Sequence, residues 1–150
     1  MIQLVLPYPV SANRYWKSFY NPRTKHIQMG PSQEAKTYKT QVQWIARAAG
    51  VREPLKCRVE VRYTLFPHCP EDAAKRAKVA PDTWDLSVRC IDLDNAQKVL
   101  MDSLKGIVFE DDALVHSIIA RRGEPGKARL VVDIAPYRPD WLTQPALAFA

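Results

Sequence analysis

The stretch Cys57-Arg-Val-Glu-Val-Arg-Tyr-Thr-Leu-Phe66 constrains the fold most. Cys57, Val59, Val61, Tyr63 and Leu65 share one side of an extended chain, and Arg58, Glu60, Arg62 and Thr64 share the other. Such a strand needs a sheet with one buried and one wet face, and something apolar to cover the buried side. Two helical patterns can provide that cover. Gln33 to Ala49 carries Ala35, Tyr38, Val42, Ile45 or Ala46, and Ala49 at helical spacing, with Ser32 placed to cap the start and Gly50 to end it. A second helix follows Asp94, which is placed to cap it, with Ala96, Val99, Leu100 and Leu104 as its buried stripe and Gly106 as its stop.

Ile2-Gln-Leu-Val-Leu6 reads as a short strand ended by Pro7 and Pro9. Residues 10–31 read as a long connection, and long connections are often functional. Residues 70–78 suit a short helix with acids near its start and bases near its end. Leu114 to Arg122 and Ala128 to Ile134 are β-rich, and Gly123 to Lys127 reads as a hairpin loop between them. The fold class expected is α+β: a single domain with a small mixed sheet and two main helices on one side. The domain is expected over residues 1–134, with 67–88 as an insertion and 135–150 as a C-terminal tail lying over the body through Trp141.

Charge is unevenly spread in this chain of net charge +6. Residues 1–62 hold 11 basic and 3 acidic side chains, whereas Asp82 to Asp112 holds 8 acidic and 3 basic. A basic chain suits a polyanion such as nucleic acid. The long connection interleaves Arg14, Lys17, Arg23 and Lys25 with Tyr15, Trp16, Phe19 and Tyr20, which suits phosphate contact with base or sugar stacking. The plainer alternative is a loop whose aromatics pin it to the core. An acidic pocket in such a chain is not needed to bind a phosphodiester, but it is needed to cut one with a divalent metal.

Asp92 and Asp94 point to the same side of an extended chain, and Lys98 lies about one turn further along the helix. Asp111-Asp112 follow the helix, and a chain turning into the next strand could bring them back toward Asp92. Crowded carboxylates repel unless a cation sits among them. Magnesium takes one or two carboxylates and phosphate oxygens, so no histidine or cysteine is required. Structural alternatives exist for each: Asp94 as a helix cap, Asp111-Asp112 as a turn pair, Lys98 on a wet helix face. Asp102 reads as solvated, paired with Lys98 or Lys105. Glu110, Asp82 and Asp85 read as surface.

No stretch approaches the roughly 18 apolar residues of a membrane span. The N-terminus lacks the features of a signal peptide. Cys57, Cys69 and Cys90 give neither a disulfide framework nor zinc-ligand spacing. A cytoplasmic protein with no membrane partner and no nucleotide cofactor is the expectation.

Asp92-Leu-Asp-Asn-Ala-Gln-Lys98, followed by Glu110-Asp-Asp112, resembles the signature of the RusA-type Holliday junction resolvases. The opening Leu6-Pro-Tyr-Pro-Val-Ser-Ala-Asn-Arg-Tyr-Trp16 resembles that family's N-terminal motif, and the likeness runs over roughly residues 2–134. It implies a homodimeric endonuclease, common in phages and prophages, that cuts branched four-way DNA with Mg²⁺, Mn²⁺ being able to substitute. By position, Asp92, Asp94 and Asp112 match the metal-binding acids, with Asp111 beside them. Lys98 matches the essential lysine and Asn13 the N-terminal asparagine. Catalysis is then assigned to Asp92, Asp94, Lys98 and Asp112, and DNA binding to Asn13, Arg14, Lys17, Arg23 and Lys25. The rival readings are a non-catalytic DNA-binding protein and a nuclease for other branched DNA.

Overall fold

The computed structural model describes residues 1–142, so part of the expected tail lies outside the described residues. In chain order the elements are β1 (Ile2–Pro7), α1 (Ala12–Tyr15), β2 (Trp16–Asn21), β3 (His26–Pro31), α2 (Gln33–Ala48), β4 (Val59–Phe66), α3 (Ala73–Val79), α4 (Leu93–Leu104), β5 (Val115–Arg122) and β6 (Arg129–Pro136). Four strands form a mixed sheet in the order β1-β6-β4-β5. β4 runs antiparallel to β6 and parallel to β5, and β1 runs antiparallel to β6.

Alternation along β4 decides which face is buried. Val59, Val61, Tyr63 and Leu65 are all buried. Register then aligns apolar rows across the sheet: Leu6, Leu130 and Leu65 in one, Leu4, Val132 and Tyr63 in the next. Ala35, Tyr38, Val42 and Ala46 of α2 and Ala96, Val99, Leu100 and Leu104 of α4 close over these rows, with Tyr15, Val108 and Phe109 completing the core. Truncating a residue such as Leu65 to Ala leaves a cavity in this layer and costs about 2–5 kcal/mol.

The caps of α2 are as the sequence suggests. Ser32 Oγ accepts from Ala35 N at 3.2 Å, and Gly50 follows the helix with φ 93°. Gly106, with φ 74°, stands just past α4. Ala49 is exposed and drops out of the buried stripe, and Cys57 is exposed and lies outside β4. The expected helix in 70–78 is α3, where Arg76 bonds Asp72 at 2.8 Å and reaches Ser87 O at 3.0 Å.

Three expectations are corrected. Residues 10–31 are not an open connection: they form α1 and an antiparallel ribbon, β2-β3, that is a sheet of its own. Its side chains face solvent on both sides, so no core-facing period marks it. Residues 123–127 are not a hairpin loop, because β5 and β6 flank β4 and do not pair. The chain crosses the end of β4, with Gly123 N bonded to Leu65 O at 2.8 Å and Gly126 N to Pro67 O at 2.9 Å. The N-cap of α4 is Asp92, in extended backbone, and Asp94 lies in the first turn. Among the described residues no helix is long and apolar enough to cross a membrane.

Candidate active site

Helix α4 organises the candidate residues. At its N-terminus, where the helix dipole favours negative charge, stand Asp92 and Asp94. The Asp92 side chain is 74% exposed, and its Oδ1 lies 3.6 Å from Arg122 Nη2 at the end of β5. The backbone leading into this turn is held from the core side. Ile91 N donates to the Tyr8 hydroxyl at 3.0 Å, and that hydroxyl donates to Cys90 Sγ at 3.6 Å. The Tyr63 hydroxyl donates to Leu93 O at 2.8 Å. Burial, and then the negative charge of Asp94, push Tyr63 up to about 12.

At the other end of α4, Lys105 Nζ lies 2.9 Å from Asp111 Oδ2 and 3.0 Å from Asp112 Oδ1. Asp111 Oδ1 also accepts from Ala113 N at 2.9 Å, the turn role open to any Asp at that place. That backbone bond first, then Lys105, holds the Asp111 carboxyl down near about 2. The two acids in turn raise Lys105 to about 12.

Along the helix between these ends lies an open cavity of about 380 Å³ lined by Trp16, Lys98, Met101, Asp102, Lys105 and Asp112, among others. Lys98 makes no ion pair among the described residues. Asp102 is not the solvated partner of a lysine that its spacing suggests. It is half-buried and accepts from the Tyr15 hydroxyl. The Tyr15 ring is buried, and a buried hydroxyl needs an acceptor.

Asp92 and Asp112 do not meet within one chain. Helix α4, 12 residues and about 18 Å long, runs from Asp92 at its N-cap to Lys105 at its C-cap, which holds Asp111 and Asp112. β5 reports the same separation: Asp112 precedes its first residue, and Asp92 contacts its last. The chain doubles back only at the C-terminal end of α4, so Asp111-Asp112 do not return to Asp92. Among the described residues no group of three or more His, Cys, Asp or Glu side chains could hold a metal ion. One chain alone therefore does not fit a three-carboxylate magnesium site.

The expected DNA contacts lie on α1 and the ribbon. Asn13 is exposed on α1, and Lys17, Arg23 and Lys25 are exposed on the ribbon. Arg14 Nη2 instead lies 2.7 Å from Glu34 Oε1, in a solvent-facing pair of small energetic weight. Arg122, Lys105 as the clamp on Asp111 and Asp112, and Tyr15 as the donor to Asp102 stand outside the residues that the sequence singles out. Lys105 and Asp112 are close in sequence, which was a usable signal; Arg122 reaches Asp92 only through sheet order.

Carboxylates and a lysine along α4, beside a basic ribbon, are groups that metal-assisted cleavage of a phosphodiester can use. Residues 7–135 match the family model Endodeoxyribonuclease RusA. The chain belongs to the RusA endodeoxyribonuclease family, and it is an endonuclease of DNA. No curated protein sequence matches the chain.

Proposed function

We propose that this protein resolves four-way DNA junctions by paired nicks, as a homodimer that uses magnesium. The observation that carries this reading, with the family match, is the placement of two acidic pairs at opposite ends of α4. Two copies related by a two-fold axis, with α4 helices antiparallel, bring the N-terminal pair of one against the C-terminal pair of the other. Asp92 and Asp94 of one copy, with Asp112 and Asp111 of the second, would then hold the ion. A bound Mg²⁺ lowers the pKa of its water and neutralises charge on the phosphate. Mn²⁺ offers similar chemistry.

The chain's own groups have separable tasks. Tyr8 and Tyr63 fix the backbone that presents Asp92 and Asp94. Lys98 places a positive charge where the phosphate oxygens gain negative charge during cleavage. Lys105 holds Asp111 and Asp112 side by side. Asn13, Arg14, Lys17, Arg23 and Lys25 hold the DNA backbone. A two-fold dimer matches a four-way junction, whose arms are nearly two-fold related. The three free cysteines suit a reducing, cytoplasmic setting.

A synthetic four-way junction incubated with the protein and Mg²⁺ tests this, with Y-shaped and nicked duplexes as comparison substrates. Symmetric paired nicks are expected on the four-way junction, and Asp92→Asn binds the junction without cutting it. Folded protein that leaves the junction intact sinks the proposal, and faster cutting of the other branched substrates redirects it to them.

A further inference from the structure

The ribbon β2-β3 carries an apolar surface that the cutting groups do not use. Its register sets Trp16 opposite Pro31, Ser18 opposite Met29, and Tyr20 opposite Ile27. These pairs share one face. Trp16 is 43% exposed, Tyr20 61%, Ile27 75% and Met29 68%. The other face differs in character: Lys17, Asn21, His26 and Gln28 are polar, and Phe19 lies across Gly30, where an added Cβ would sit 2.8 Å from the ring. A two-stranded ribbon is marginal alone, and a set of large apolar side chains left open to water marks a contact surface.

Charge separates a second ribbon from a polyanion as the occupant. Residues 1–33 contain no acidic side chain, and Arg23 and Lys25 stand in the turn at the tip. A ribbon-to-ribbon contact between two copies would bring like charges together. A polyanion would not. Duplex DNA hides its base faces by stacking, so it offers the tip phosphates but offers the apolar face nothing. A branch point, where the stack is interrupted, offers both.

We propose that the face formed by Trp16, Tyr20, Ile27 and Met29 is a wedge that holds unstacked bases at the opened branch point of a DNA junction, while Arg23 and Lys25 hold the flanking phosphates. The proposal rests on the junction reading above. Aromatic and aliphatic side chains stack on or insert between bases without needing sequence information, which suits selection by DNA shape. Trp16, at the foot of the ribbon, lines the same 380 Å³ cavity as Lys98, Lys105 and Asp112. A base held against Trp16 therefore lies beside the candidate cutting groups, which couples opening of the branch point to their placement.

Binding measured without Mg²⁺ separates this inference from the cutting reaction. The probe is a four-way junction with 2-aminopurine at the branch point, compared with a duplex of the same sequence. Wild-type protein is expected to raise the 2-aminopurine fluorescence. Tyr20→Ser combined with Ile27→Thr loses that rise and weakens junction binding about tenfold or more, leaving duplex binding unchanged. Ile27→Leu alone, which keeps an apolar wedge, retains the rise. Arg23→Gln with Lys25→Gln weakens junction and duplex together. The wedge is overturned if the Tyr20/Ile27 variant keeps the fluorescence rise, or if its junction and duplex affinities fall in parallel. It is also overturned if that variant sediments as a monomer where wild type is a dimer, because the face then belongs to a second copy. A protein that opens the junction in this assay but never nicks it upholds the wedge and defeats the junction-cutting reading.

Discussion

The Tyr15 hydroxyl donates to the Asp102 carboxylate, and this bond ties the foot of the ribbon to the middle of α4. Burial, and then Asp102, push the Tyr15 hydroxyl well above its ordinary range, so it remains a donor at any ordinary pH. Tyr15→Phe keeps the ring and removes the donor, leaving a half-buried carboxylate without it. The expected loss is about 1–3 kcal/mol of folding stability, read from the urea midpoint. An unchanged midpoint would show that water replaces the hydroxyl at no cost.

A site shared between two copies gives complementation between dead variants. Asp92→Asn and Asp112→Asn are each expected to be inactive alone. Mixed and allowed to exchange subunits, half the dimers are hybrids, and each hybrid has one site with both acids intact. Recovery of about a quarter of the wild-type nicking rate is expected, as single-strand nicks and not paired ones. No recovery from a mixture shown to contain hybrids would place all the acids of each site in one chain.

Lys98 separates binding from chemistry. If it answers charge developing on the phosphate, Lys98→Gln lowers the nicking rate about 10²- to 10³-fold and leaves junction affinity within a few-fold of wild type. Gel-shift and single-turnover cleavage on one substrate measure both. A parallel fall in affinity would assign Lys98 to backbone binding.

Alkaline pH should unfold the protein through its tyrosines. Tyr8, Tyr15, Tyr38 and Tyr63 are all raised from the ordinary value of 10.0, chiefly by burial, Tyr8 and Tyr63 to about 12. In the unfolded chain these hydroxyls lose their protons from about pH 10, while in the folded chain they keep them. The unfolded state then binds fewer protons, so stability is full below pH 10 and falls as pH rises toward 12. Phenolate absorbance for these four should appear together with loss of circular dichroism. Ionisation well before unfolding would show that they are open to water.

What the sequence made legible follows from how local each signal is. The strand Val59–Phe66 and the stripes of the two long helices bury every second residue or every third and fourth, so their periods are visible directly. Ser32, Gly50 and Gly106 act on adjacent backbone and were equally readable. The ribbon was not, because Trp16, Ser18 and Tyr20 alternate toward solvent and not toward a core. A sharper signal lay in Asn21-Pro-Arg-Thr-Lys25, where Asn21 Oδ1 accepts from Arg23 N at 2.9 Å and Lys25 adopts φ 57°. The passage of residues 123–127 across the end of β4 depends on strand order, which no local pattern encodes. The acids at 92, 94, 111 and 112 were identifiable by type, yet their separation is set by the length of the helix between them.

His68 and residues 89–91 line one cavity of about 500 Å³, so the chain leaves β4 and re-enters toward α4 at nearly the same place. The intervening α3 segment is thus a closed loop pinned at its neck. Closing a loop costs only about 0.6 kcal/mol more for each doubling of its length. Lengthening or trimming this segment is therefore thermodynamically cheap and leaves Asp92 and Asp94 in register with β5. That makes it the natural place for a graft: a tag, a sensor domain or a loop from another nuclease inserted between Cys69 and Ser87 should leave the helix-borne acids undisturbed.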